Sequence, residues 1–499
     1  MLYDKSPTYP HYDHLPYAKE PWKALYVVWR LLTTIALVPV WALTYSVLPL
    51  HRRPRESWSL RQIIHVNFIR RIFKVTEVAG VTWQTRDPTR TPHPRSLRET
   101  RFTWVDPLPI PMRTGVVDGD AEFKRVGCYI WPKEEPIEVT KKAKVDSDFE
   151  GLCYTLPISI SSSNSNEVIP NSSQANDEDG EVPLVGIFMH GGGYCHMSAH
   201  ESASTSQIPS GLIEKRVLHE IYSVEYRLLQ IAPFPAVVQD AAAVYTHVVE
   251  QYGFRQNKCK IILIGDSSGG NLVLSLTRWL RDEGHLPLPS GLLLLSPSCD
   301  PSHAIPETLS SFSPRPNAHT DYLVDTPEPR ALMLRTFLGL KHEKELAFVE
   351  EERRLMNFVH SEYVSPCSPI VLKRWGHNVM QDIEGIHTSH IQNLPSAIRL
   401  ANDPNNVISI PEASSGKSPR FTKLFGDFPK TLVVLGDAER LVREVKSLVV
   451  AMEKDGVDVQ LHVAPDAVHD ILIISKGWWD KKTIRDTWTA VVEWGKKFR

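Results

Sequence analysis

The sequence has almost no excess charge of either sign, since 56 lysines and arginines face 58 aspartates and glutamates and the formal net charge is −2. Proteins that bind nucleic acid concentrate basic side chains on one surface to neutralise phosphates. No basic stripe of that kind runs through this chain. We therefore expect no nucleic-acid partner.

Cysteine is also scarce, with six in 499 residues. None of them forms a C-x-x-C pair, and none stands with histidine at the spacing of a zinc site. The sequence therefore predicts no metal site and thiols that are reduced or incidental. The cysteines are Cys128, Cys153, Cys195, Cys259, Cys299 and Cys367.

Charged residues are absent from residues 31–50, which follow a polar segment over residues 1–30. Twenty helical residues span about 30 Å, the thickness of the hydrocarbon core of a bilayer. A basic flank, residues 51–55, comes next. The pattern predicts a membrane-associated, single-pass protein, with the endoplasmic reticulum as one candidate compartment. Two alternatives stay open: a helix pair lying on the membrane, because Pro39 can interrupt a span, and a buried cap helix.

A serine between two glycines follows an apolar run that begins at Lys260. Gly265 and Gly269 stand two residues before and two residues after Ser267, and a helical pattern begins at Ser268. This order of strand, sharp turn and helix is typical of a nucleophile elbow, which exposes the serine hydroxyl at the end of a strand. We predict Ser267 as the nucleophile.

Three consecutive glycines follow another apolar run upstream, in the sequence His190-Gly191-Gly192-Gly193. Glycines let bare backbone N–H groups approach a substrate oxygen. We predict the N–H groups of Gly191, Gly192 and Ser268 as the oxyanion hole, and His190 as a structural residue that holds the loop.

Apolar runs alternate with helical patterns from residue 182 onward, which predicts a mostly parallel sheet flanked by helices. The predicted strands and helices are 182–189, 216–222, 232–252, 258–264, 268–283, 291–296, 432–435 and 457–463. Upstream, Trp83, 102–104 and 126–131 are candidate strands. The fold class is therefore α/β.

The glycine motif at 190–194, the segment Glu225-Tyr-Arg-Leu228 with Asp240, and the elbow at 265–271 resemble the hormone-sensitive-lipase branch of the α/β-hydrolases. The N-terminus resembles fungal sterol-deacetylase-like members of that branch. The resemblance implies that the first strands pair antiparallel at one edge of the sheet and that N-terminal helices cover the active site. It runs from about residue 182 to 476 and weakens over 300–428.

The resemblance also implies the base and the acid of a catalytic triad. His469 follows a proline-containing turn and resembles the family's terminal histidine. For the acid, Glu439 suits the family's motif and lies 30 residues before His469, whereas Asp437 lies nearer the strand. We favour Glu439 and keep Asp437 as the alternative.

The domain organisation follows from these assignments. Residues 51–181 are expected to hold an amphipathic cap helix over 57–74, the first strands and a disordered polar loop over 159–179. Residues 182–499 form the catalytic core, with a cap or lid insertion over 300–428 that includes an amphipathic segment near 330–340.

The expected function is hydrolysis of a carboxylic ester through an acyl-enzyme on Ser267, without a metal or organic cofactor. The membrane segment and large cap suggest a lipophilic ester, such as an acetylated sterol. Three alternatives stay open: an acyltransferase, a lyase or amidase, and a non-catalytic receptor. The presence of both Ser267 and His469 argues against the receptor.

Overall fold

The computed structural model describes residues 15–119, 121–134, 182–254, 259–304, 314–323, 337, 358–377, 422–474 and 477–499. The predicted polar loop over 159–179, most of the insertion over 300–428 and most of the amphipathic segment near 330–340 lie outside these residues. The described residues form an α/β structure built on one sheet.

Eight strands form this sheet, in the order β1-β2-β4-β3-β5-β6-β7-β8. The edge strands β1 and β2 pair antiparallel, as the resemblance implies, and β3 to β8 run parallel. The strands are β1 Arg101–Val105, β2 Val126–Trp131, β3 Leu184–Met189, β4 Glu220–Glu225, β5 Lys260–Asp266, β6 Gly291–Leu295, β7 Lys430–Gly436 and β8 Val459–Ala464.

Helices connect the parallel strands and cover both faces of the sheet. Because of this cover, successive residues of a strand enter two different apolar cores: Val185 and Ile187 lie in one cluster, and Leu184 and Phe188 in the other. The described α-helices are α1 Trp22–Val47, α2 Leu60–Ala79, α3 Gln207–Glu214, α4 Ala236–Gln251, α5 Ser268–Glu283, α6 Pro369–Arg374, α7 Val442–Lys454 and α8 Lys481–Gly495.

Two of the predicted strands differ from the structure. The strand predicted at 216–222 begins only at Glu220, because Arg216 has a positive φ of 54° and forms the turn after α3. Trp83 is not in a strand but in an irregular segment, where its N–H donates to His196 Nδ1 at 3.0 Å. A single aromatic residue therefore did not indicate a strand.

Helices α1 and α2 form an antiparallel pair before the sheet. Helix α2 begins with a capping box formed by Ser59 and Gln62 and ends at Gly80, whose φ is 61°. Helix α1 begins nine residues before the predicted segment and continues through Pro39. By length and composition α1 could cross a membrane, and a signal sequence near an N-terminus passes the same test.

Because the central strand β5 is buried, shortening one of its side chains should lower the stability of the protein strongly. Ile261 in β5 is fully buried, so Ile261→Ala should lower the free energy of unfolding by about 2–5 kcal/mol. Ile110 is 75% exposed, so Ile110→Ala should change that free energy by less than about 0.5 kcal/mol. Urea denaturation of both variants measures the difference, and equal losses would contradict the described core.

Candidate active site

The turn between β5 and α5 holds Ser267 in a strained backbone conformation. Its φ of 52° and ψ of −118° are rarely adopted by residues with a side chain. The flanking glycines are required by close contacts: a Cβ at Gly265 would lie 2.3 Å from the Gly269 carbonyl oxygen, and one at Gly269 would lie 1.9 Å from that of Met189. Ser267 is therefore held at the tip of the turn.

His469 lies directly beside this serine, although 202 residues separate them in the chain. Its Nε2 atom is 2.9 Å from Ser267 Oγ. The imidazole follows β8 and is almost completely buried, at 2% exposure. An imidazole nitrogen at hydrogen-bond distance from a serine hydroxyl can accept its proton, which is the geometry of an activated nucleophile.

Two carboxyl groups are candidates for the acid, and their surroundings in the structure differ. Glu439 is fully buried, and its Oε2 accepts hydrogen bonds from Ser296 Oγ at 2.6 Å and from the Gly436 N–H at 3.0 Å. Asp437 instead forms an ion pair with Arg55 at 3.1 Å. The carboxylate of Glu439 acts electrostatically on His469, and that of Asp437 has a cation of its own.

Among the buried polar atoms near this histidine that have no hydrogen-bond partner in the described part of the chain, two bear on the choice of acid. They are Nδ1 of His469, on the ring edge remote from Ser267, and Oε1 of Glu439. A triad acid must bind this remote nitrogen to hold the imidazole tautomer. The unpaired atoms are therefore complementary, one a potential donor and the other an acceptor.

Asp470 is a further carboxyl at the histidine, which the sequence did not single out. Its Oδ2 lies 3.0 Å from His469 Nε2, the same nitrogen that faces Ser267. It cannot orient the imidazole from the remote side as a triad acid does. Asp470 instead contributes negative charge next to the nitrogen that would be protonated.

The glycine loop after β3 differs from the prediction in one residue. The Gly191 N–H donates to Oδ1 of Asp266 at 2.9 Å, so it is not free to bind a substrate oxygen, and its assignment as an oxyanion donor is wrong in this structure. Gly192 and Gly193 line the cavity and have φ angles of 114° and 61°, which favour glycine. Ser268, also in the cavity wall, begins α5, and the first N–H groups of a helix have no partner within it.

His190 lies beneath this loop and has contacts suited to a structural role. Its ring stacks on Tyr226 with centroids 4.3 Å apart, and its Nδ1 is 2.7 Å from the Gly191 carbonyl oxygen. Burial lowers the pKa of His190 to about 4, which keeps the ring neutral.

Burial and neighbouring charges change the pKa values of His469 and of the carboxyl groups around it. Burial raises the pKa of Asp266 well above its usual range, and the charge of Asp470 raises it further. Burial also raises the pKa of Asp470 and that of Glu439, the latter to about 8. For His469, burial lowers the pKa, but the carboxylates of Asp470 and Glu439 more than reverse this, and the net pKa is raised. The surroundings therefore stabilise a protonated imidazole.

A cavity of about 210 Å³ opens in front of Ser267 and His469. Its wall includes one side of α2, where Phe73 stacks on Tyr322 with centroids 5.7 Å apart. Tyr322 in turn donates to the His469 carbonyl oxygen at 2.8 Å. Aromatic and aliphatic side chains form a large part of the lining, among them Phe73, Tyr194, Met197, Tyr322, Leu323, Phe337, Leu441 and Ile473.

The sequence analysis did not identify the segment around Asp321, which joins this wall to the loops that carry Glu439 and His469. Asp321 is fully buried and accepts hydrogen bonds from the backbone N–H groups of Arg440 at 2.7 Å and His469 at 3.4 Å. The Arg70 side chain of α2 donates to the Asp321 carbonyl oxygen. No motif marks Asp321 in the sequence, because its partners lie more than a hundred residues away. Among the described residues, no group of His, Cys, Asp and Glu side chains is arranged to hold a metal ion.

Comparison with known proteins agrees with this geometry. The family model described as the α/β-hydrolase fold matches residues 186–382. The chain is 33% identical to an acetyl-hydrolase of Streptomyces hygroscopicus over 23% of its own length and 36% of that protein. It is 28% identical to steryl acetyl hydrolase 1 of Saccharomyces cerevisiae over 22% of the chain and 26% of that protein. It is also 36% identical to the gibberellin receptor GID1C of Arabidopsis thaliana over 20% of the chain and 29% of that protein.

These matches span about a quarter to a third of each relative's length. The family match over residues 186–382 includes β4 to β6 and Ser267. Residues 186–382 therefore match the α/β-hydrolase fold family, and the sheet described above has that fold.

Proposed function

We propose that this protein is a serine hydrolase of carboxylic esters. The observation that carries the proposal is the 2.9 Å contact between His469 Nε2 and the Oγ of a serine held in a strained elbow. A receptor built on the same fold needs neither this contact nor a buried carboxyl group that increases the basicity of the imidazole.

The first half-reaction forms an acyl-enzyme. Ser267 Oγ attacks the ester carbonyl carbon while His469 Nε2 takes the hydroxyl proton. The N–H groups of Gly192, Gly193 and Ser268 donate hydrogen bonds to the negative oxygen of the tetrahedral intermediate. When the intermediate collapses, the bond to the alcohol oxygen breaks and the imidazolium of His469 protonates the departing alkoxide.

The second half-reaction releases the acid. A water molecule gives a proton to His469 and attacks the acyl carbon, and the Ser267 oxygen leaves with the proton returned by the imidazolium. Glu439 is the triad acid in this scheme: its carboxylate accepts a hydrogen bond from Nδ1 of His469 as the imidazolium forms, and stabilises that cation. Asp437 has no part in it, because its carboxylate is paired with Arg55.

The substrate class follows from the apolar wall of the cavity. Aromatic and aliphatic side chains line one part of the cavity in front of Ser267, which suits a lipophilic group on the ester. Two relatives are named for acetyl groups, and one of these for sterols. We propose an acetylated lipophilic alcohol of the sterol kind as substrate, and membrane association through α1.

The nucleophile is tested by labelling with a fluorophosphonate, which reacts with activated serine hydroxyls. The purified protein should be labelled on Ser267 and should hydrolyse lipophilic acetate esters. Ser267→Ala should abolish labelling and lower turnover by about 10⁴-fold or more. A wild-type protein that is folded but resists labelling would refute the hydrolase.

The acid is tested by a matched pair of amide substitutions. Glu439→Gln should lower kcat by about 10³-fold, because the amide cannot stabilise the imidazolium. Asp437→Asn should keep kcat within about threefold, since this carboxyl faces Arg55. Steady-state kinetics on one ester ranks the two variants, and the opposite ranking would make Asp437 the acid.

The charge of Asp470 should affect the pH dependence of kcat/KM. Catalysis needs neutral His469, and the negative charge of Asp470 raises the pKa of that imidazole. Asp470→Asn should therefore move the acidic limb of kcat/KM to lower pH, by about 1–3 units. The carboxyl groups of Glu439, Asp321 and Asp266 are unchanged in the variant. Asp470→Glu keeps the charge and should leave the limb in place, and a shift to higher pH in the asparagine variant would contradict the assignment.

A further inference from the structure

Helix α1 has two faces with different chemistry. One face contacts α2 through polar groups: Lys23 Nζ donates to the Gly80 carbonyl oxygen, Arg30 Nε donates to the Arg71 carbonyl oxygen at 3.2 Å, and Arg71 Nε donates to Thr34 Oγ1 at 3.2 Å. Thr34 is fully buried on this face. These contacts fix α1 along α2 and, through α2, along the catalytic domain.

The opposite face of α1 exposes an apolar stripe that extends the whole length of the helix. Most of its members are three or four residues apart, and all of them lie on the side of the helix away from Thr34. Exposure reaches 60% at Leu32, 69% at Leu43 and 73% at Val47. We call this surface the α1 stripe, and it consists of Trp22, Leu25, Val28, Trp29, Leu32, Ile35, Val40, Leu43 and Val47.

We infer that the α1 stripe lies flat on a lipid bilayer, so that α1 is an in-plane helix and not a membrane span. A span would surround the helix with lipid, whereas here the face with Lys23 and Arg30 is bound to protein. An in-plane helix instead buries one apolar face at the boundary between headgroups and acyl chains.

The composition of the stripe and of its ends favours lipid over a second copy of the chain. Trp22 and Trp29 are exposed, and tryptophan prefers the membrane interface. The exposed side chains of Lys19 and Arg52 stand before and after the helix, where lipid phosphates would lie. The stripe extends over 26 helical residues, about 39 Å, which suits a planar surface.

The position of α2 indicates how the substrate reaches the cavity. This step rests on the proposed function. Helix α2 contacts α1 and also supplies Phe73, Thr76 and Glu77 to the cavity wall. The axes of two packed helices lie about 8–10 Å apart. Only α2 therefore lies between the membrane-bound helix α1 and the cavity. The substrate is then an ester dissolved in the bilayer, which enters the cavity beside α2.

Vesicle flotation of the full-length chain tests the lipid surface. The chain is synthesised in a cell-free system with vesicles of phosphatidylcholine and a minor fraction of phosphatidylserine. Leu32→Glu with Leu43→Glu should lower the ratio of bound to free protein by about tenfold for each substitution. The control Ile110→Glu alters an equally exposed apolar residue outside the stripe and should leave the ratio unchanged.

Unchanged flotation of the double variant would overturn the inference. So would a double variant that floats normally but loses self-association in sedimentation without lipid, because the stripe would then be a contact between copies. The double variant should hydrolyse a water-soluble short-chain ester normally and lose activity only on an ester embedded in vesicles. Failure of the wild-type protein to react with a fluorophosphonate would refute the hydrolase alone, because flotation does not depend on catalysis.

Cysteine labelling separates the in-plane helix from a span. Single cysteines replace exposed Pro16, exposed His51 or Lys482 on α8 in a Cys153→Ser background, and sealed membrane vesicles are treated with an impermeant maleimide. The other native cysteines are buried. The in-plane helix predicts that all three positions react alike, since they lie on one side of the membrane. Opposite accessibility of positions 16 and 51 would show a span and refute the inference.

Discussion

The active site depends on the close contact of two backbone turns. Strands β3 and β5 are neighbours in the sheet, with Met189 opposite Gly265, so the glycine loop and the nucleophile turn leave the same edge together. A side chain at Gly269 would collide with the Met189 carbonyl oxygen, and Asp266 joins the turns by accepting the Gly191 N–H. This contact sets the position of Ser267 relative to the loop amides, and the rest of the site is arranged around it.

The second constraint is electrostatic. Glu439, Asp470, Asp266 and Asp321 are buried carboxyl groups around a single imidazole, and such groups are costly to ionise without a nearby cation. The proposed reaction creates that cation on His469 whenever Ser267 gives up its proton. The cluster thus favours the charge distribution of the transition state over that of the resting enzyme, which is the basis of electrostatic catalysis.

Much of the core was predictable because local sequence and fold agree there. Helix α5 has the predicted bounds, Ser268–Glu283, since the elbow fixes its start and Gly284 its end. The role of Gly191 was not predictable, because all three glycines of the loop look alike in sequence and only the contact with Asp266 distinguishes them. Tyr322 and Phe73 also escaped notice, as stacking between distant segments leaves no local pattern.

The N-terminal helices show a different limit of sequence reasoning. Composition alone identified an apolar segment after residue 30, but a span and an in-plane helix have the same composition. The polar contacts of Arg30 and Thr34 with α2 distinguish the two faces of α1. They also link this helix to the wall of the cavity, so the proposed membrane surface and the proposed catalytic site belong to one continuous structure.

The central claim is that the loop amides and His469 converge on an acyl group carried by Ser267. A crystal structure of the protein inactivated by an alkyl phosphonate tests it most directly. The account predicts phosphorus bonded to Ser267 Oγ, with one phosphonyl oxygen within hydrogen-bond distance of the N–H groups of Gly192, Gly193 and Ser268. Phosphorus on another residue, or an oxygen directed away from these amides, would contradict it.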